Sequence, residues 1–425
     1  MRESLTLALI LILVVAPLEF GEYDVAITLN RVKALINGDE LLLPPPWFKK
    51  VSAEGVKVGI VDTGIDLSHP DMPAVDEDHF RDFTDPDKKE PYDDVGHGTH
   101  VAGIITGTGH PQWNPIHAYF PFGCVGIAEG VELYVAKALE KDYDENGEIV
   151  GKGSIDSLIK AIEWLMDPDG DGNTSDAVDL INLSLGVVVE NGLWGIVDSL
   201  RMRKTMKDLE QIIERATKTG TVFVMAAGNH EVDGDPEIVA PADMSELITV
   251  GGVDHNGNLC DFSNWGNEKN RKPDLVAPAV VASTYPMNLD RGIRDGYVGL
   301  GGTSMAAPVV TGAIAVLMAS NSTLMDWTPD LNSEYVGRTS YIKDILMDNC
   351  RDLGDEGWDE SYGYGLLDLY ACFQVMGDSD LDWNWHFFIA LALTTLIICA
   401  AIYFMLRRKR RKEMEGEEEW SYEAQ

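Results

Sequence analysis

A serine in a run of small residues is the first candidate for chemistry in this chain. Ser304 lies within Gly301–Pro308 (GGTSMAAP), and the apolar run Val309–Ala319 follows it and predicts a buried helix. Small neighbours let a substrate backbone approach the hydroxyl, and the helix start presents unpaired N–H groups to a developing negative charge. A serine hydroxyl is a poor nucleophile until a base accepts its proton, so the chain must also supply a base.

Two upstream segments supply an imidazole and a carboxylate. His97 and His100 lie in Gly96–Gly103 (GHGTHVAG), whose glycines permit close backbone approach. Asp62 ends a short apolar β run in Val58–Asp66 (VGIVDTGID), and open α/β sheets bind ligands at the carboxyl ends of such strands. A hydroxyl, an imidazole and a carboxylate are the groups of a nucleophilic relay. Taken alone, Asp62 could equally stabilise a turn.

These segments, in the order Asp, His and Ser, resemble the subtilisin-like serine proteases. A fourth segment, Ala226–Asn229 (AAGN), resembles the oxyanion-hole segment of that family, and the resemblance extends over roughly Pro44–Phe373. It implies an α/β fold of three layers, α/β/α, with a mostly parallel doubly wound sheet, and it implies no cofactor for catalysis. In that family the first histidine is the base, so His100 is expected to be structural. The catalytic residues that the resemblance implies are Asp62, His97, Ser304 and Asn229.

The resemblance also predicts where a substrate binds. Leu180–Gly186 (LINLSLG) is predicted to be a buried strand, and its end matches the family segment that pairs with the substrate backbone. Addition of an extended peptide to a strand edge is a general recognition mode, so we expect extended or unfolded substrates. The neighbouring residues are small or apolar, which favours a broad or hydrophobic preference. The predicted substrate-binding residues are Ser184, Leu185, Gly186, Ala226, Ala227 and Gly228.

An acidic loop is the best candidate for a cation site. Oxygen-bearing side chains alternate along Asp167–Asn173 (DPDGDGN), a pattern that suits a hard cation such as calcium. Val178 stands where the EF-hand pattern has glutamate, and a helix-ending turn is the alternative. Asp71 matches a position that ligates calcium in some members of the resembling family, with a turn-stabilising role as its alternative. The candidate ligands of a structural calcium ion are Asp167, Asp169, Asp171, Asn173 and Asp71.

The charge balance excludes one class of partner. The 425-residue chain has 33 lysines and arginines against 70 aspartates and glutamates, a formal net charge of −37. Binding to phosphates needs clustered basic side chains, so we expect protein or peptide partners and no nucleic acid. The excess of negative charge is typical of a soluble protein whose surface charges repel one another. The alternative is a protein that works in a salty or calcium-rich habitat. One group of acidic residues is interpreted as a solvated loop: Asp85, Asp87, Asp93 and Asp94.

Five cysteines occur, and Cys399 lies in an apolar segment. The other four could form two disulfides by three connectivities. Cys350 with Cys372 is the preferred pair because both flank the end of the predicted domain. Four reduced, buried thiols are the alternative.

Both ends of the chain carry apolar segments. Leu5–Ala16 has the length of a signal peptide, with an uncleaved anchor as the alternative. The uncharged run 387–406 is long enough to span a bilayer core of about 30 Å, and the basic run Arg407–Lys412 follows it. The positive-inside rule makes the basic end cytoplasmic and the catalytic domain extracellular, in a single-pass protein of the cell membrane. The predicted segments are a signal peptide or apolar segment (1–20), a short N-terminal extension (21–50), a catalytic domain (51–375), an acidic linker (376–386), a transmembrane helix (387–406) and a cytoplasmic tail (407–425).

The sequence therefore predicts a serine endopeptidase anchored in a lipid bilayer with its catalytic domain outside. The hydrolysis of peptide bonds would follow a Ser-His-Asp acyl-enzyme mechanism. A catalytically silent peptide-binding protein, or a structural surface protein on the same fold, is the alternative.

Overall fold

The chain divides into two units by its internal contacts. The first comprises Met1–Leu42 and Val51–Asp378, and the second comprises Leu43–Lys50 and Ser379–Gln425. The computed structural model describes residues 10–13, 28–42, 51–109, 123–144, 147–186, 195–230, 236–238, 240–289, 296–325, 327, 337–376, 393–394, 396–397, 403 and 405.

The described part of the first unit contains both strands and helices. The strands are β1 (Ile10–Leu13), β2 (Lys57–Asp62), β3 (Phe80–Asp82), β4 (Glu132–Lys137), β5 (Glu140–Tyr143), β6 (Ile149–Ser154), β7 (Leu180–Leu183), β8 (Val222–Ala226), β9 (Leu247–Val253), β10 (Leu275–Pro278), β11 (Val280–Thr284) and β12 (Tyr297–Gly301). The helices are α1 (Leu29–Leu35), α2 (Asp39–Leu42), α3 (His97–Thr106), α4 (Ile155–Met166), α5 (Gly195–Thr219), α6 (Thr303–Ala319), α7 (Ser322–Met325), α8 (Arg338–Asn349) and α9 (Leu369–Met376). Short 3₁₀ helices cover Glu77–His79 and Thr174–Asp176.

A seven-stranded parallel sheet forms the centre of the described fold, in the order β10-β9-β8-β7-β2-β4-β3. Strands β7 to β10 are buried along their whole length, as expected for a parallel sheet covered on both faces. The strand order reverses beside β2, which pairs with β4 on one side and β7 on the other. Ligands of open α/β sheets bind at such a reversal, outside the carboxyl ends of the strands. The predicted mostly parallel sheet is confirmed.

Helices cover both faces of this sheet. Side chains that alternate along a strand point to opposite faces. In β7, Ile181 and Leu183 pack in the same core cluster as α4 and α5. Asn182, between them, accepts a hydrogen bond from Thr311 of α6 at 2.9 Å. Helix α6 therefore lies on the face opposite α4 and α5, which gives the three layers predicted from the resemblance.

Two smaller sheets are also found among the described residues of the first unit. Strands β11 and β12 form an antiparallel hairpin, and β12 leads directly into α6. Strand β1, from the N-terminal apolar segment, pairs antiparallel with β6, which also pairs with β5. Helix α1, from the predicted N-terminal extension, contacts β11, and its Leu29 and Val32 are buried. The described part of the extension thus packs within the first unit.

The second unit is described at six positions, each of them helical: Leu393, Thr394, Leu396, Ile397, Tyr403 and Met405. Among the described residues, no helix is both long enough and apolar enough to span a membrane. Most of the predicted span, nearly all of the acidic linker, and the cytoplasmic tail lie outside the described residues, as does most of the predicted signal segment.

The four described cysteines, Cys124, Cys260, Cys350 and Cys372, are free thiols. The preferred pairing of Cys350 with Cys372 is therefore wrong for this structure, and the alternative of reduced thiols describes it. Burial raises the pKa of Cys124 and of Cys372 to about 12. Because the thiolate is the reactive form, these two side chains are unreactive at neutral pH.

Candidate active site

Three neighbouring strands end at the candidate site. Asp62 is the last residue of β2, Ser184 follows the end of β7, and Asn229 follows β8 after a two-residue turn. Because β8, β7 and β2 are adjacent and parallel, their carboxyl ends lie side by side at one edge of the sheet. The sheet therefore brings together three segments that are far apart in the chain.

Asp62 and His97 form a buried carboxylate–imidazole pair. His97 Nδ1 donates to Asp62 Oδ1 at 2.8 Å and lies 3.0 Å from Oδ2. The two residues are 0% and 2% exposed. The Thr63 N–H donates to Asp62 Oδ1 at 2.7 Å and helps to hold the carboxylate. With its proton on Nδ1, the neutral imidazole has its lone pair on Nε2, which is the arrangement that a general base requires.

A second buried carboxylate holds the start of α3. Asp93 Oδ1 accepts from Thr63 Oγ1 at 2.9 Å and from the N–H groups of Val95 (3.1 Å) and Gly96 (2.7 Å). Its Oδ2 accepts from Thr99 N at 2.9 Å and Thr99 Oγ1 at 2.7 Å. Asp93 is 2% exposed, so its interpretation as part of a solvated loop is wrong. It connects the end of β2 to the turn that precedes His97.

Ser304 is the second residue of α6 and is 7% exposed. Its Oγ donates to the Ser184 carbonyl at 3.2 Å, and Ser184 Oγ donates to the Ser304 carbonyl at 2.8 Å. Within the described residues, no hydrogen bond joins Ser304 Oγ to His97. Transfer of the serine proton to His97 therefore requires the hydroxyl to leave the Ser184 carbonyl.

The Asn229 side chain is oriented by the start of α6. Asn229 Oδ1 accepts from Thr303 N at 2.8 Å and from Thr303 Oγ1 at 3.1 Å. Its oxygen is thus occupied, and its Nδ2 is left to donate to another group. A Cβ at position 302 would lie 3.2 Å from this Nδ2, so Gly302 keeps the approach open. The backbone N–H of Ser304 belongs to the first turn of α6 and has no intrahelical acceptor.

The predicted substrate segments lie beside these groups. Ser184 and Leu185 are buried, whereas Gly186 is partly exposed, and a Cβ placed on it would meet no atom of the described residues within 4 Å. Ala226 and Ala227 are each 3% exposed and continue β8 towards Gly228. Gly186 is therefore the member of this group with open space beside its backbone.

Two further histidines near the site have structural contacts. His100 is fully buried and donates from Nε2 to the Val298 carbonyl at 3.1 Å. Burial, together with the nearby His97, lowers the pKa of His100 to about 3, so it is neutral at physiological pH. His230 packs edge-on against Trp265, with ring centroids 5.3 Å apart. His100 is thus structural, as the resemblance implies.

The candidate cation ligands do not all come together. Ligand oxygens of Asp167, Asp169 and Asp176 lie within 4.8 Å of one another. Asp171 and Asn173 are outside this group, and their side chains accept from backbone N–H groups within the loop. The predicted ligand set omits Asp176, although its acidic side chain lies only three residues beyond the predicted loop and is a usable signal.

Asp71 lies apart from this loop and is fully buried. Its Oδ2 accepts from the Cys124 N–H at 2.6 Å and from the Tyr297 hydroxyl. The Thr108 N–H donates to its carbonyl at 2.8 Å. These contacts join Asp71 to segments that are distant in the chain, and its role as a calcium ligand stays a prediction.

A parallel α/β sheet with a carboxylate–imidazole pair, a serine and an amide donor at its carboxyl edge defines the subtilisin-like class of serine hydrolases. A family model described as the subtilase family matches residues 53–365. Subtilisin DY of Bacillus licheniformis is 33% identical over 334 residues, which cover 76% of this chain and 95% of that protein. The intracellular serine protease of Paenibacillus polymyxa is 32% identical over 327 residues, covering 75% and 84%. The chain therefore belongs to the subtilase family and is a serine endopeptidase.

Proposed function

We propose that this protein is a membrane-anchored endopeptidase in which Ser304 is the nucleophile. Its Oγ attacks the scissile carbonyl carbon while His97 Nε2 accepts the hydroxyl proton, and His97 then protonates the leaving amine. Water hydrolyses the resulting acyl ester with the same base. Asp62 keeps the imidazole proton on Nδ1. The observation that carries this proposal is the buried Asp62–His97 hydrogen bond of 2.8 Å at the sheet edge.

Two donors would stabilise the oxyanion that forms during attack. We assign them to Asn229 Nδ2 and to the backbone N–H of Ser304. The contact of Asn229 Oδ1 with Thr303 N, at 2.8 Å, supports this role because it occupies the amide oxygen and leaves Nδ2 as the group that can donate. Donors that are fixed before the reaction do not have to reorganise as charge develops.

The substrate class follows from the same edge of the sheet. We propose that an extended polypeptide pairs with Ser184–Gly186, where no atom of the described residues would lie within 4 Å of a Cβ on Gly186. Small and apolar neighbours, including Ala226 and Ala227, support a broad or hydrophobic preference next to the cleaved bond. A folded substrate would first have to expose an unpaired strand to add to this edge.

The reaction is tested with a fluorophosphonate probe on the purified full-length protein, together with cleavage of an unfolded protein such as casein. We expect labelling and cleavage by the wild type and neither by Ser304→Ala. Asp243→Asn, a change at an exposed residue, is the control and should retain both. An unlabelled but folded wild type that binds extended peptides would instead support the catalytically silent alternative.

A single C-terminal span is proposed to anchor the enzyme with its catalytic domain outside the cell. The run 387–406 is apolar, Arg407–Lys412 would remain cytoplasmic, and residues 1–20 would direct export. Five large apolar side chains described within this run are 57–70% exposed, as suits contact with lipid: Leu393, Leu396, Ile397, Tyr403 and Met405. Resistance to alkaline carbonate extraction would support the span. Release of the full chain by carbonate would contradict it.

A structural calcium ion is proposed at Asp167, Asp169 and Asp176. Carboxylate oxygens are the ligands that calcium prefers. Among the described residues, Asp167 Oδ1 and Asp176 Oδ1 are buried without a hydrogen-bond partner, which favours a cation between them. Binding would join the end of α4 to the 3₁₀ turn that precedes β7, and the ion would have no role in catalysis.

A further inference from the structure

One β-hairpin contacts both the helix that carries His97 and the segment that carries Ser304. Its strands, β11 and β12, pair along their whole length. One further bond, from the Gly302 N–H to the Ala279 carbonyl at 2.9 Å, extends this pairing. The hydrogen bonds of the hairpin therefore end only two residues before the nucleophile.

The other end of β11 bonds to α3 through consecutive hydroxyl groups. Ser283 Oγ donates to the His100 carbonyl at 2.9 Å, and Thr284 Oγ1 donates to the Thr99 carbonyl at 2.9 Å. Ser283 and Thr284 are both fully buried. Both acceptors lie in the first turn of α3, which begins at His97.

Two more contacts tie the hairpin to the same region. The Tyr285 hydroxyl donates to the Val95 carbonyl at 2.8 Å, in the turn before His97. From the opposite direction, His100 Nε2 donates to the Val298 carbonyl of β12 at 3.1 Å. Both strands of the hairpin thus bond to the base-carrying helix or to the turn that leads into it.

A glycine in α3 makes the hydroxyl contacts possible. A Cβ on Gly103 would lie 2.1 Å from Thr284 Oγ1 and 2.4 Å from Ser283 Oγ, both too close for any side chain. The acceptor carbonyls lie within a helix, where i+4 N–H groups already bond to them. The two hydroxyls therefore add second bonds to these carbonyls. Because the carbonyls of α3 already have partners within the helix, they do not need the hydroxyls to satisfy them.

We propose that Ser283 and Thr284 are positioning residues of the catalytic relay. Their hydroxyls hold α3 against the hairpin that runs into Ser304, and so they set the separation between His97 Nε2 and Ser304 Oγ. This inference rests on the proposed roles of His97 and Ser304. Neither hydroxyl touches the predicted substrate segments, and both act only through the position of α3.

The position of the base is expected to matter more for turnover than for substrate binding. A displacement of about 1 Å in a reacting group can lower the rate about a hundredfold. Loss of the two hydroxyls should therefore lower kcat and leave KM nearly unchanged. A role limited to stability would instead lower the melting temperature and leave kcat per active site unaltered.

The test uses the full-length protein with Thr284→Val, Ser283→Ala and the double variant. Kinetics are measured on a peptide substrate well below each melting temperature. We expect kcat to fall about tenfold in each single variant and about a hundredfold in the double variant, with KM within about twofold of wild type. Thr284→Ser, which keeps the hydroxyl, should recover kcat to within about threefold.

Thr221→Val is the matched control. Thr221 Oγ1 donates to the Val178 carbonyl at 3.0 Å in an equally buried position, and it precedes the amino end of β8. We expect this variant to lose thermal stability while its kcat remains that of wild type. A Thr284→Val enzyme with wild-type kcat, or a Thr284→Ser enzyme as slow as Thr284→Val, would overturn the inference. Absence of fluorophosphonate labelling in the wild type would instead overturn the proposed function on which it rests.

Discussion

Ser184 Oγ donates a hydrogen bond of 2.8 Å to the backbone carbonyl of Ser304. In a regular helix that carbonyl would accept from the N–H four residues later. Here that residue is Pro308, which has no N–H. The hydroxyl of a neighbouring strand end thus replaces a missing helical bond at the proposed nucleophile.

This relationship predicts a non-additive double-mutant cycle. Ser184→Ala leaves the buried carbonyl of Ser304 without a partner and should cost about 1–3 kcal/mol of unfolding free energy. Pro308→Ala restores an N–H that can bond to that carbonyl, so Ser184→Ala should cost less in that background. Chemical denaturation of the four proteins, each carrying Ser304→Ala to prevent self-digestion, measures the coupling. If Ser184→Ala costs the same unfolding free energy with Pro308 as with Ala at position 308, the Ser184 hydroxyl does not compensate for the N–H that proline lacks.

Asp93 is expected to be indispensable although it contacts neither His97 nor Ser304. In Asp93→Asn, one acceptor oxygen becomes an NH₂ group that faces N–H and O–H donors, and the buried charge is lost. We expect the unfolding free energy to fall by at least about 3 kcal/mol, and fluorophosphonate labelling to fall with it. Asp87→Asn, at an exposed residue nearby, should change stability by less than about 0.5 kcal/mol. Equal stabilities of the two variants would contradict the role of Asp93.

The strands of the sheet could be predicted from local sequence, whereas the Asp62–His97 pair was predicted from motifs that resemble those of the subtilisin-like proteases. Buried parallel strands are short apolar runs, and Asp62 lies at the end of one of them. Asp93 could not be recognised in this way, because an acidic stretch looks like a solvated loop until Thr63 and Thr99 are known to surround it. Burial of a charge depends on partners from distant segments, and the composition of its own segment does not reveal them.

The same limit applies to hydroxyl groups and thiols. Ser283 and Thr284 are the last two residues of β11, without any motif that distinguishes them from other polar residues, and their acceptors lie about 180 positions away in the chain. The pairing of Cys350 with Cys372 was inferred from their positions in the chain, which do not determine whether two sulfurs meet in bonding geometry. Motifs that resemble those of a known family therefore indicate candidate reacting groups, whereas no motif marks the groups that support them.

Calcium is expected to stabilise the protein through the Asp167–Asp176 loop. An ion that binds only the folded state at a hundred times its dissociation constant adds about 2.7 kcal/mol. Thermal unfolding of the Ser304→Ala protein, with calcium and with a chelator, measures this effect. Asp176→Asn should abolish most of the calcium-dependent shift, whereas Asp243→Asn, at an exposed residue elsewhere, should retain it. A shift that survives Asp176→Asn would refute this ligand set.

Asn229→Ala removes one of the two proposed oxyanion donors. Loss of such a donor costs about 10²–10³ in kcat, a magnitude known from subtilisin itself, and we expect the same order here with KM little changed. The change also removes the acceptor of the Thr303 N–H, so stability should be measured in parallel. A variant that keeps wild-type turnover would exclude Asn229 from the mechanism.

His100 is expected to make the fold sensitive to acid. Its pKa is lowered to about 3 in the folded state, whereas an unfolded histidine titrates near 6.5. Between these values the unfolded chain binds more protons than the folded one, so stability falls as the pH falls through this window. The loss is about 1.4 kcal/mol per pH unit for one group. Above pH 6.5 this histidine makes no contribution to the pH dependence.

His100→Gln isolates this contribution, because glutamine does not titrate and its amide can still donate towards the Val298 carbonyl. Unfolding free energies of the Ser304→Ala protein, with and without His100→Gln, are compared from pH 7 down to pH 4. Carboxylates titrate alike in both proteins, so their effect cancels in the difference. The variant should be less stable at neutral pH, since its packing is altered, but its stability should fall less steeply on acidification. Parallel curves across the window would mean that His100 accepts a proton in the folded state as readily as in the unfolded chain.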